Sequence, residues 1–159
     1  MNRHLAIIPC TKHKIWDYLP HFGEVPAICA YVGPEFILSR HFLSSRTDRI
    51  IIFSAKYGLL DPWDGIPQTY DVTFERSEDP VIDAESLKQQ AKIKGLFNFK
   101  YITTTCNYYY QKRIVETFSS SGAIIVSPVK DLIDNDQICQ IINKLISQDT
   151  NNCNYETIN

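Results

Sequence analysis

Two short apolar runs constrain this chain more than any other feature. Leu5 to Pro9 and Ile50 to Phe53 are almost continuously apolar and rich in isoleucine. A strand that is apolar at every position needs cover on both faces, which a parallel sheet between two layers of helix provides. Tyr101 to Thr105 is a third run, β-branched and less apolar, and Ala123 to Val126 a fourth. Helical patterns separate them. Pro34 suits a first helical turn, with Phe36, Ile37 and Phe42 following before Ser44 and Ser45. Asp83 caps a predicted helix whose apolar face is Ala84, Leu87 and Ala91, ending near Gly95. Asn107 caps another, with Tyr110, Ile114 and Phe118 at i, i+4 and i+8. The last helix carries a stripe of Ile138, Ile141, Ile142 and Leu145 after the capping candidates Asn135 and Asp136. The expected fold is a three-layer α/β domain: a four-stranded, mainly parallel sheet with helices on both faces.

With 159 residues, of which 44% are hydrophobic, one core suffices, and residues 1–148 read as a single domain. The polar, asparagine-rich stretch 149–159 reads as a flexible tail. The net charge of −2 excludes a globally basic nucleic-acid binder, so any such contact needs a local patch. No apolar run is long enough to span a membrane, and Arg3 and His4 precede only five apolar residues, so no signal peptide is expected. A cytoplasmic monomer is the expectation. The five cysteines are scattered, never form CxxC, and do not combine with the four histidines at zinc-site spacing. Neither a metal nor a cofactor is expected.

The two apolar runs also end alike, in PCTKHKIWD and SAKYGLLDPWD: a small residue, then lysines, then an aspartate. In open parallel sheets ligands bind beyond the carboxyl ends of the strands, where the strand order reverses. Four polar strand ends, the other two being TCNYYY and SPVKD, would then form one rim. It gathers Lys12, Lys14, Lys56 and Lys130 with Asp17, Asp61, Asp64, Asp71 and Asp131. Each residue also has an ordinary reading. A loop lysine is usually solvated, and Cys10 after a strand is more often a small buried hydrophobe than a nucleophile. Asp61 and Asp64 around Pro62-Trp63 can shape a turn. Asn107 is a cap first and a reader of base edges second. Of Tyr108, Tyr109 and Tyr110, at least one must be exposed. The long connection 58–81, with three prolines and several aromatics, is expected to be functional rather than disordered. GxGxxG, GxxxxGK[ST] and GxSxG motifs are absent, which removes support for dinucleotide, P-loop and hydrolase-elbow chemistry.

SAKYGLLDPWDGIPQTYD resembles the loop of the YaaA-like proteins and a related bacterial and phage domain family, through Ser54, Ala55, Lys56, Tyr57, Gly58, Leu59, Leu60, Pro62, Asp64, Ile66 and Tyr70, with Asp71 next. PCTKHK is similar to that group's N-terminal signature, placing Cys10, Lys12 and Lys14, and to a motif of archaeosine-pathway tRNA-modifying enzymes. Tyr31, Gly33 and Phe36 resemble its next element. The match is dense over residues 7–73, and the helix–hairpin–helix of the YaaA proteins has no counterpart here.

The resemblance implies a fold like that of uracil-DNA glycosylase, with a carboxylate after the first strand (Asp17), a base-reading asparagine at an inner strand end (Asn107) and a polar last loop (Ser127 to Asp131). The implied activity is a DNA glycosylase that hydrolyses the N-glycosidic bond of a modified base in double-stranded DNA, in defence against phages. The alternatives are an enzyme acting on tRNA or free 7-deazaguanine-type bases, and a non-catalytic DNA-binding stress protein of the YaaA kind. The expected catalytic groups are Asp71, Asp17, Lys14 and Lys56. Substrate contacts are assigned to Cys10, Thr11, Lys12, Ser54, Tyr57, Trp63, Asp64, Tyr70, Asn107, Tyr110 and Ser127, and phosphate contacts also to Lys112 and Arg113. Asp17 is expected to keep the neighbouring lysines charged, so that water attacks and the enzyme is monofunctional.

Overall fold

Six strands form one mixed sheet in the computed structural model, which describes residues 3–148 and 155–159. Its centre is the four expected runs: β1 (His4–Pro9), β3 (Arg49–Ser54), β6 (Tyr101–Thr104) and β7 (Ile124–Ser127), all mutually parallel in the order β3-β1-β6-β7. The expectation of four strands falls short by two. A short β4 (Gly58–Leu60) turns back antiparallel along β3, and β8 (Glu156–Thr157) pairs antiparallel with β7. Strands of three and two residues are too short to show alternation in sequence. A separate ribbon pairs β2 (Val25–Pro26) with β5 (Gly65–Ile66).

The expected tail divides in two. Residues 149–154, with Cys153, lie outside the described residues. In the remainder, Ile158 is buried and donates its N–H to the Ile125 carbonyl at 2.9 Å, and Glu156–Thr157 pair along the edge of the sheet.

Both faces of the sheet are covered, as the apolar runs require. On one, Ala6, Ile8 and Ile52 pack with Phe36, Phe42, Ile138 and Ile142 from α2 (Pro34–Ser44) and α5 (Asn135–Gln148). On the other, Leu5, Ile7, Ile51 and Phe53 meet Leu87, Ala91, Ile114 and Phe118 from α3 (Ala84–Ile93) and α4 (Tyr108–Phe118). A four-residue α1 (Ala27–Ala30) precedes α2. Asp83 and Asn107 cap α3 and α4 as expected. For α5 the cap is Asp134, not Asn135 or Asp136: its Oδ1 accepts from the Asp136 N–H at 2.9 Å.

The turn from β3 to β4 depends on a glycine. Gly58 has φ 82°, and a Cβ there would lie 2.1 Å from Gln90 Oε1. That oxygen accepts from the Leu59 N–H at 2.8 Å, while Gln90 Nε2 donates to the Tyr57 carbonyl at 2.8 Å, fastening the hairpin to α3. Gly58→Ala therefore adds both left-handed strain and the loss of this fastening. It is expected to cost at least on the order of 1–3 kcal/mol in denaturant unfolding, and an unchanged midpoint would contradict the turn.

Candidate functional site

From β1 the chain crosses to β3 on one side, and from β3 it passes over to β6 on the other. The carboxyl ends of β1 and β6 thus flank the point where strand order reverses. A cavity of about 240 Å³ lies there. Cys10, Thr11, Lys12 and Lys14 line it from the loop after β1, Thr105 and Asn107 from the loop after β6, and Asp71 to Arg76, except Phe74, from the long connection. The N-terminal turns of α2, α4 and α5 contribute Glu35, Tyr110 and Asn135. The first turns of three helices thus border one space, where their dipoles favour negative charge.

Lys14 is the unusual residue of this wall. Its residue surface is only 3% exposed. The amine donates to the Lys12 carbonyl at 3.1 Å and sits 4.4 Å from the Tyr70 ring centre. Among the described residues, no carboxylate lies within ion-pairing distance of it. Asp17, expected to hold its charge, instead accepts from the Lys14 backbone N–H at 3.0 Å, closing the first turn of a 3₁₀ segment. Burial consequently holds the amine below the ordinary lysine value of 10.5, against weaker opposing attractions from Cys10, Asp71 and Asp17.

What seats Lys14 is a chain of hydroxyls. Ser54 Oγ, at the end of β3, bonds Tyr70 OH at 2.7 Å, and Tyr70 OH bonds Tyr31 OH in turn. Ser54 Oγ also accepts the N–H groups of Lys56 and Tyr57 at 3.2 and 3.1 Å. Tyr57 stands edge-on against Tyr70, ring centres 5.2 Å apart. Ser54, Tyr57 and Tyr70 thus support the cavity from behind rather than line it. Burial raises the phenol pKa of Tyr31 and of Tyr70, so both keep their protons for this chain. Thr11 ties the other side: its Oγ1 donates to the His13 carbonyl at 2.8 Å and accepts from the Gly33 N–H at 3.1 Å. Gly33 is needed for space, because a Cβ there would be 2.6 Å from Glu35 Oε2 and 2.7 Å from Thr11 Cβ.

Three carboxylates line the cavity, and they differ in their commitments. Asp71 pairs with Arg76 at 2.9 Å, which holds its carboxyl below the usual range, and its side chain is 64% exposed. Glu75 accepts from Asn107 Nδ2 at 2.7 Å. Glu35 Oε2 is buried and, among the described residues, has no hydrogen-bond partner. Neither glutamate is among the expected site residues. Glu35 follows Gly-Pro at a helix start, where an acid is common for its dipole interaction alone, so its sequence position carries no distinguishing signal.

Of the other expected residues, Cys10 and Tyr110 lie together in the wall, Sγ 3.7 Å from the hydroxyl. Burial raises the Cys10 thiol, against activation as a thiolate. Asn107 lines the cavity with its amide already engaged by Glu75, Asn135 and the Tyr110 N–H. Lys12 lines it from an exposed position; Lys56 is exposed outside it, near the Tyr57 and Tyr70 rings. Asp17 is a capping residue. Asp64 and Asp61 share Lys94, with Arg49 also on Asp61, and brace the β4–β5 turn. Trp63 is 76% exposed and forms no wall, and Ser127, the last residue of β7, is buried with its hydroxyl accepting the Val129 N–H at 3.1 Å. Lys130 and Asp131 border a different groove, with Tyr108 and Lys112. No described cluster of His, Cys, Asp and Glu could hold a metal, and no described helix is long and apolar enough to cross a membrane.

Residues 5–143 match the family of unknown function DUF6884, and the chain belongs to that family. It is also 39% identical over 93 residues to the uncharacterized protein YfjM of Bacillus subtilis (strain 168), a match covering 58% of this chain. The chain spans 62% of the length of that relative. No solved structure matches. The family shown bears a different name from the YaaA-like group that the two loop signatures resemble.

A buried amine without a counter-ion costs stability while it is charged. Its depressed folded pKa means that, between that value and 10.5, the unfolded chain binds more protons, so the contribution of Lys14 to stability rises with pH through that window. Lys14→Met is expected to stabilise the fold at neutral pH by on the order of 1 kcal/mol or more, with the gain shrinking as pH climbs towards 10.5. A variant less stable than the parent at neutral pH would contradict the placement of the amine.

Proposed function

We propose that this member of the DUF6884 family cleaves N-glycosidic bonds, releasing a modified base from double-stranded DNA. The observation that carries the reading is the combination in one cavity of an unpaired carboxylate, a buried amine and three helix N-termini. Breaking the bond builds positive charge on the sugar and negative charge on the departing base. A carboxylate serves the first, and the helix N-termini, with a hydrogen bond from the Lys14 amine, serve the second. Glu35 is the carboxylate that fits, because its buried oxygen is uncommitted, whereas Asp71 is paired and Asp17 lies outside the cavity.

A uracil-glycosylase-like fold is part of the same proposal. It is supported by four parallel strands between helix layers, and by an asparagine at the end of β6 in the wall, as the resemblance implies. Asn107 would have to exchange Glu75 for a base edge on binding. Extrusion of the target base would bring it into the cavity, with Lys12, Lys56, Lys112 and Arg113 available to phosphates. Defence against phages with hypermodified DNA is the setting that the resemblance to bacterial and phage domains suggests.

A second reading has its own support. Three basic groups at the cavity, Lys12, Lys14 and Arg76, face three acids, Glu35, Asp71 and Glu75, so the rim does not select for a polyanion. A free nucleoside, or a base in tRNA, would be served as well.

The test offers modified and unmodified DNA duplexes, tRNA and free nucleosides, and measures released base by mass spectrometry. DNA-dependent release is expected, with Glu35→Gln slowing it by on the order of 100–1,000-fold and Asp17→Asn by less than about tenfold. Release from nucleosides alone would select the second reading. Equal effects of the two substitutions would remove Glu35 from the role, and no release from any substrate class would overturn the proposal.

A further inference from the structure

We propose that the Lys14 amine is itself a nucleophile, forming an imine with the C1′ carbon of a deoxyribose, so that the protein nicks DNA as well as releasing a base. The choice of sugar rests on the glycosidic reading above; the reactivity of the amine rests on the geometry of its seat. An ammonium carries three N–H donors. Lys14 Nζ has one acceptor, the Lys12 carbonyl, and an aromatic face. Of the acids whose attraction reaches it, Asp17 is engaged by a backbone N–H and Asp71 by Arg76, and uncommitted Glu35, across the cavity wall, forms no ion pair with it. A neutral amine leaves fewer donors unmet in such a place, and only a neutral amine has a lone pair to attack carbon. Lys12, two residues away, is exposed and has none of these features. The expectation of charged, purely electrostatic lysines thus lacks its premise at Lys14.

The step balances without any co-reactant except water. The nitrogen lone pair forms the bond to C1′ as the C1′–N bond to the base breaks, its electron pair leaving with the base. The amine loses a proton, and the departing base takes one up. Opening of the C1′–O4′ bond, with protonation of O4′, leaves C1′ doubly bonded to the lysine nitrogen. Loss of a C2′ proton then expels the 3′-phosphate, which breaks the strand, and water hydrolyses the imine to restore the amine. Glu35, the uncommitted carboxylate of the same cavity, is available to carry the protons.

Borohydride trapping tests this with the full chain. The probe is a duplex containing one abasic site, which already presents the C1′ aldehyde and so bypasses base recognition. A covalent protein–DNA adduct is expected, mapped by peptide mass spectrometry to Lys14 and not Lys12. Its yield should fall at least about tenfold in Lys14→Arg, which keeps the charge, and in Lys14→Met, which guards against an arginine that disturbs folding. Thermal unfolding identifies which variant is folded, and that variant decides the result. No adduct, an adduct on other lysines, or an undiminished yield in a folded variant would overturn the proposal. An adduct on abasic DNA without base release from any substrate would count against the glycosidic reading alone. Base release without an adduct would sink this inference and leave that reading standing.

Discussion

The Ser54 hydroxyl, at the carboxyl end of β3, is the point from which the cavity hangs. It bonds Tyr70, which bonds Tyr31, and so fastens the long 58–81 connection to the sheet and to the segment before α2. Lys14 lies over the Tyr70 ring, and its backbone bridges to Tyr31. Two loops from different strand ends are therefore held by one chain of hydroxyls, with Asp71 to Arg76 following directly from Tyr70 into the cavity wall. Ser54 and Tyr31 are buried and Tyr70 is partly so. A hydroxyl chain in such a place resists rearrangement, since each member left without its partner would pay for desolvation. A preorganised cavity is what a site acting through fixed charges and dipoles requires.

Much of the fold was legible because covered strands and amphipathic helices write long, periodic signals. The runs at Leu5 to Pro9 and Ile50 to Phe53 led directly to β1 and β3, and the stripe through Ile138 and Ile142 to α5. The edge strands β4 and β8 were not legible, being two or three residues long and defined by pairing rather than by pattern. The site was legible as a place, the strand-end rim, and much less so as a set of residues. Asp17 and Lys14 occupy one short loop, yet one caps a turn in solvent while the other is buried. Sequence spacing cannot separate those fates, because the Tyr70 ring that covers Lys14 arrives from 56 residues further along the chain. Trp63 shows the reverse: an aromatic within a motif that the fold leaves exposed. Glu35 was hidden by its own ordinariness at a helix start.

The arrangement also sets stability against chemistry. A buried lysine and a buried carboxylate oxygen without a partner both oppose folding, and the protein retains both in the wall of one cavity. Such groups are tolerated where their reactivity is used. The two apolar cores on either side of the sheet, each closed by a pair of helices, supply the stability that this cavity spends.

The account stands or falls on the state of one amine. Titrating the Lys14 Nζ by NMR, with carbon-labelled lysine and assignment by Lys14→Arg, measures it without any substrate. The account predicts a midpoint below the ordinary lysine value of 10.5. A Lys14 midpoint at or above 10.5 would mean that the amine is solvated or paired, and would contradict the buried, uncompensated amine on which the site is built.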